Sequence, residues 1–161
     1  MTTFIWRASS IAVAVIIFLV PAASARDRHD GYYYPTPYSI ETYKARARIL
    51  PDSDRDRRLG FIVGFTKQLS EDPSPMRFTV FAKGTEAEKL IIVALDDDIF
   101  ASLFRARAVL ATLTAHVRAS PLFGDLGVQN LFTFYDLAKM LGFKQITVSD
   151  GREWSHRVDL K

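Results

Sequence analysis

The chain has 161 residues, 48% of them hydrophobic, with 21 Lys and Arg against 18 Asp and Glu. That length fits one domain around one core, and the near-neutral balance argues against a dominant polyanion partner, nucleic acid included. The absence of cysteine excludes disulfides and a thiol nucleophile, so the domain is held by its core alone.

The N-terminus reads as a secretory signal peptide. Arg7 precedes the apolar run at residues 11–20, Pro21 breaks that run, and Ala23-Ser24-Ala25 forms a small-x-small site. The run is shorter than the roughly 20 apolar residues of a membrane span. Cleavage near Ala25 is therefore expected, leaving a periplasmic or secreted protein with no stable membrane span; an uncleaved anchor recruiting residues 4–6 is the alternative. No cysteine stands near the site to carry a lipid, and the single Arg7 is not a twin-arginine signal. Without Arg7 the mature chain carries 20 basic and 18 acidic side chains, a net +2.

Residues 26–37, "RDRHDGYYYPTP", form a polar, aromatic arm that Pro35 and Pro37 hold extended. Tyr32, Tyr33 and Tyr34 are candidate partner-binding residues, or they pack on the domain's own sheet. Residues 38–161 are expected to form a single domain. In residues 38–50 the alternation Tyr43, Ala45, Ala47, Ile49 favours an amphipathic strand, while the Ala and Arg content favours a short helix. Residues 51–58 read as a charged loop. Phe61, Ile62, Val63 and Phe65 then suit a buried strand, with Gly60 and Gly64 allowing close backbone approach. Pro73 and Pro75 mark a loop.

Residues 77–83 and 89–95 predict a hairpin whose second strand, apolar on both faces, is central. After Asp96-Asp97-Asp98 comes the clearest helix, with Leu103, Ala106, Leu110, Leu113 and Val117 in one buried stripe that Phe100 and Val109 widen. Ser120-Pro121 stops it, and residues 122–130 form a loop. A short helix follows, with Thr133 and Asp136 at capping-box spacing and Gly142 at its C-terminal end. Residues 144–158 close the chain as a hairpin, with Asp150-Gly151 as a type I′ turn. Together these elements predict an α+β fold: a mainly antiparallel sheet with one long and one short helix packed on one face.

"LIIVALDDD" is similar to a magnesium-binding strand, but that chemistry needs a phosphate loop, and "GFIVGFTK" is only a superficial echo of one. Asp97 or Asp98 capping the long helix is the plainer account. Three consecutive acids do not make a calcium loop, and His29, His116 and His156 lack metal-ligand spacing. His116 falls near the helix C-terminus, where a cation is favourable. His156 shares a strand face with Trp154 and Val158 and reads as packed; Ser155 points to the opposite face, which argues against a Ser155–His156 catalytic pair. No catalytic residue, metal or cofactor is expected from these residues.

The stretches "FAKGTEAEKLIIVAL", "RARAVLATLTA", "FTFYDLAKMLGF" and "ITVSDG", with the "HDGYYYP" start, resemble a family of small exported bacterial proteins often labelled molybdopterin-guanine dinucleotide biosynthesis protein A. The resemblance covers nearly all of the mature chain and implies its boundaries and an exported location. The enzyme named in the label is a nucleotidyltransferase with a Gly-rich nucleotide loop on a Rossmann-like sheet. This chain lacks that loop, so no catalytic residue carries over.

The leading expectation is a non-catalytic module that docks on an envelope protein. The alternative is a small-ligand binding domain with Tyr135, Trp154 and His156 lining a pocket between sheet and helices. An enzyme, including the activity in the family label, comes third.

Overall fold

A computed structural model describes residues 35–71, 77–96, 100, 102–119 and 121–161. The expected signal peptide, Tyr32, Tyr33, Tyr34, Asp97 and Asp98 lie outside the described residues. Among the described residues the order is β1 (Ser39–Tyr43), α1 (Arg55–Glu71), β2 (Phe78–Lys83), β3 (Lys89–Ala94), α2 (Leu103–Arg118), α3 (Pro121–Asp125), α4 (Phe134–Met140), β4 (Gln145–Ser149) and β5 (Ser155–Leu160). No helix among them is long and apolar enough to cross a membrane.

The α+β class holds, but the sheet is mixed rather than mainly antiparallel. Its order is β1-β5-β4-β3-β2. The β2–β3 and β4–β5 pairs are antiparallel, whereas β3–β4 and β1–β5 are parallel. The physical reason is the connection. After β3 the chain returns through α2, α3 and α4 to the end where β3 began, so β4 must run alongside it in the same direction. β1 lies at one edge and β2 at the other, with α1 between them in sequence.

All four helices contribute to one core on one face of the sheet. The stripe Ala106, Leu110, Leu113 and Val117 of α2 is buried with Phe123 of α3 and Phe134 and Leu137 of α4. These meet Val80, Leu90, Ile92, Ile146, Val148, Val158 and Leu160, alternate residues of β2 to β5 that point to one side. Phe61, Ile62 and Phe65 of α1 pack against the same cluster.

Helix α1 occupies the segment expected to be a loop and a buried strand. Asp54 starts it, accepting from Arg57 N at 2.8 Å as an N-cap does. Arg58, Phe61, Ile62, Phe65 and Leu69 recur at spacings of three and four and face inward, while Gly60 and Gly64 are exposed. The buried Arg58 donates Nε to the Glu86 carbonyl at 2.8 Å and Nη1 to the carbonyls of Ser53 and Leu141, tying α1 to the β2–β3 connection and to the end of α4. Gly142 has φ +81°, the left-handed region that favours glycine, and a Cβ there would displace the Arg58 guanidinium, whose Nη1 would lie 2.6 Å away.

Three local expectations need correction. A short helix, α3, takes up Pro121–Asp125, within the stretch expected to be a loop. The N-cap of α2 is Ser102, whose side chain accepts from Arg105 N, not Asp97 or Asp98. The β4–β5 connection is longer than a two-residue I′ turn, because the register closes at Ser149 and Ser155. Asp150 Oδ1 accepts from Arg152 N and Trp154 N, folding the intervening residues into a side-chain-stapled loop with Gly151 at φ +75°. The capping box at Thr133 and Asp136 forms as expected. So does the αL end of α4: Gly142 N reaches the Lys139 carbonyl and Phe143 N the Ala138 carbonyl.

Candidate functional site

The polar residues of the domain concentrate where β1 and β5 meet α2 and α4. Edge strand β1 alternates, so Ser39, Glu41 and Tyr43 point toward the helices. The parallel register sets Ser39 beside His156 and Glu41 beside Val158. Ser39 Oγ and His156 Nδ1 share a 2.8 Å hydrogen bond, and Glu41 Oε2 lies 3.6 Å from His156 Nε2. Glu41 is also ion-paired with Arg107 of α2.

His156 is 0% exposed, and its Nε2 has no hydrogen-bond partner among the described residues. Burial pushes its pKa below the usual histidine value; Glu41 pulls it back up and Arg107 presses it down again. The imidazole is therefore neutral near pH 7. A neutral histidine hydrogen-bonded to a serine is one part of a hydroxyl-activating pair. Here the 3.6 Å gap to Glu41 exceeds a hydrogen bond, Arg107 engages that carboxylate, and the ring has no open surface. As arranged, the group latches β1 onto β5.

A second cluster continues it toward α4. Asp136 is fully buried and accepts from Arg46 N at 2.7 Å, Thr133 N at 2.9 Å, Thr133 Oγ1 at 2.9 Å and Tyr43 Oη at 3.1 Å. Burial alone would raise its pKa, but these donors outweigh it and hold the carboxyl below the usual aspartate value. Tyr43 stacks on Tyr135 with ring centroids 4.5 Å apart. Burial, with the Glu41 charge, pushes the Tyr135 phenol up to about 12, so it stays a neutral donor.

Beside this cluster an open cleft of about 380 Å³ runs along α2. It is lined by Arg107, Leu110, Ala111, Thr114, Ala115 and Arg118 of α2 and by Tyr135 of α4. Arg118 Nε donates to the Phe132 carbonyl and Arg46 Nη1 to the neighbouring Leu131 carbonyl, so two guanidiniums brace the loop that leads into α4. The cleft can take a side-chain-sized group, offering aromatic contact and cationic donors.

Of the residues expected to line a pocket, Tyr135 lines this cleft. His156 sits behind it, linked through Glu41 and Arg107. Trp154 is half-buried against the core outside the cleft lining, its backbone held by Asp150. Ser39, Glu41, Arg107 and Arg118 were not anticipated. The alternation of β1 marks Ser39 and Glu41 as facing one way, but nothing local in the sequence places β1 beside β5. No family model, curated protein or solved structure matches the chain at a significant level.

Proposed function

We propose that the protein is a non-catalytic accessory module of the cell envelope, exported with cleavage near Ala25, that holds a partner protein through the cleft along α2. The carrying observation is an open cleft lined by Arg107, Arg118 and Tyr135 together with Leu110, Ala111 and Ala115. Arginine and tyrosine are the residue types most enriched at binding hot spots. At about 380 Å³ the cleft is near the lower end of small-molecule pockets, and it is open. A drug-sized ligand is normally buried over most of its surface; this cleft suits one or two inserted side chains of a partner.

The test is cross-linking in intact cells, followed by the same capture with an Arg107→Ala/Arg118→Ala double variant. One specific envelope protein is expected to be captured by the wild type, with recovery at least about tenfold lower for the double variant. Failure to capture any specific protein, or equal capture by both forms, overturns the proposal.

A second reading, a small acidic ligand in the same cleft, draws on the same arginines. Calorimetric titration with small dicarboxylates separates the two, since a protein side-chain site leaves free dicarboxylates at millimolar affinity or weaker.

A further inference from the structure

Helix α2 carries both a protruding ring and, on the same line, a cleft of the size to take one. Phe104 is 80% exposed. A single exposed apolar side chain is ordinary; what sets Phe104 apart is its alignment with the cleft. Phe104, Ala111 and Arg118 recur every seven residues, so at about 3.6 residues per turn they lie along one line of the helix. Ala111 and Arg118 line the cleft, and Phe104 stands two turns before Ala111, outside the lining. The buried stripe of Ala106, Leu110, Leu113 and Val117 faces away from that line.

We propose that a second copy of this chain occupies the cleft. The two α2 helices run antiparallel about a two-fold axis at Ala111, and each Phe104 ring seats in the other copy's cleft. Spacing selects this occupant. In such a pair, positions equally far before and after Ala111 face each other. Phe104 then meets Arg118 of the other copy, and Arg107 meets Ala115. Thr114, Ala115 and Arg118 line the cleft around that point, so the ring enters it. At the crossing Ala111 presents only a methyl group, which lets the axes approach to about 8 Å.

Charge selects the orientation. Leu103–Arg118 contains no Asp or Glu, so a parallel pair would set Arg107 on Arg107 and Arg118 on Arg118. The antiparallel pair sets Arg118 against a ring face instead, a cation–π contact. That contact uses the face of the guanidinium and leaves its Nε bond to the Phe132 carbonyl intact. Arg107 is offset by Glu41 of its own copy. The helix dipoles are opposed as well.

A contact of one helix pair falls short of the roughly 1,200 Å² of a standard interface, so the dimer is weak. The dilute chain is a monomer with its cleft open, and self-association closes the cleft as concentration rises. The inference shares the cleft with the partner reading but stands on Phe104, which that reading does not use.

Sedimentation equilibrium over a concentration series tests it. The wild type is expected to pass from monomer to dimer. Phe104→Ala is expected to need at least about tenfold higher concentration, with an unchanged melting temperature because the ring is exposed in the monomer. Val63→Ala, which trims another exposed side chain on α1, is expected to match the wild type. Because the chain has no cysteine, Ala111→Cys reads the register: at the axis the two sulfurs meet, and mild oxidation links the dimer. His116→Cys lies about 15 Å along the helix from its mate and stays unlinked. A monomer at every concentration, an unshifted Phe104→Ala dimer, or faster linking at His116→Cys overturns the inference. A wild type that stays monomeric yet captures an envelope protein loses this inference alone; a dimer that captures none supports it and loses the partner reading alone.

Discussion

His156 stores a dependence on pH. It is enclosed beside Ser39, Glu41, Arg107 and Tyr135, and burial leads the causes that lower its pKa. In the unfolded chain the ring takes up a proton near pH 6.5; in the fold it resists until the pH is lower. Below about 6.5 the unfolded state therefore binds more protons, and stability falls with acidification until the folded pKa is passed. The contribution is fully present above the unfolded value. A single group of this kind changes stability by at most about 1.4 kcal/mol per pH unit. We expect the melting temperature of the wild type to drop from pH 7 to pH 5.5 and that of His156→Gln to drop less. Equal slopes for the two proteins would show that the ring does not carry the effect.

At the scale of elements, α1 invites a direct test. Gly60 and Gly64 are exposed within it, and a Cβ at either meets nothing within 4 Å. Alanine exceeds glycine in helix interiors by about 1 kcal/mol, so Gly64→Ala is expected to stabilise by about 0.5–1 kcal/mol in denaturant titration. A loss of stability would mean that this segment is not helical.

These two glycines also explain why the segment read as a strand. With Ile62 and Val63 they supply poor helix propensity, and the burial of Phe61, Ile62 and Phe65 against the core outweighs it. Other elements were legible because their signals are local: the three-four stripe of α2, the Thr133–Asp136 box, and the β2–β3 hairpin. The parallel pairs were not legible, since a partner 117 residues away leaves no trace in either strand's own pattern. The candidate site divides the same way. Tyr135 stood out as an aromatic on a clear helix, whereas the Ser39–His156 contact exists only through the β1–β5 register.

At the scale of the whole molecule, β1 makes the longest-range pairing in the sheet. It is an edge strand paired with β5, and Tyr43 fastens its end through hydroxyl contacts to Thr133 and Asp136. Contacts of such sequence separation form late, so losing them should act on unfolding. Tyr43→Phe removes the hydroxyl and keeps the ring. Its expected cost is about 1–1.5 kcal/mol, appearing in stopped-flow measurements as roughly a tenfold faster unfolding rate with refolding nearly unchanged. Slower refolding instead would place β1 in the folding nucleus.

The β1–β5 pairing also sets a timetable. Ser39 leaves the ribosome long before His156, and 117 residues separate them. At roughly 5–20 residues per second the first strand waits about 6–23 s for its neighbour. Throughout that interval the sheet cannot close. A nascent chain that stays open until its last segment is made is one that a translocation machinery can thread while still unfolded. The meeting of these two strands thus sets the earliest moment at which the sheet can close during synthesis, a delay compatible with the export proposed above.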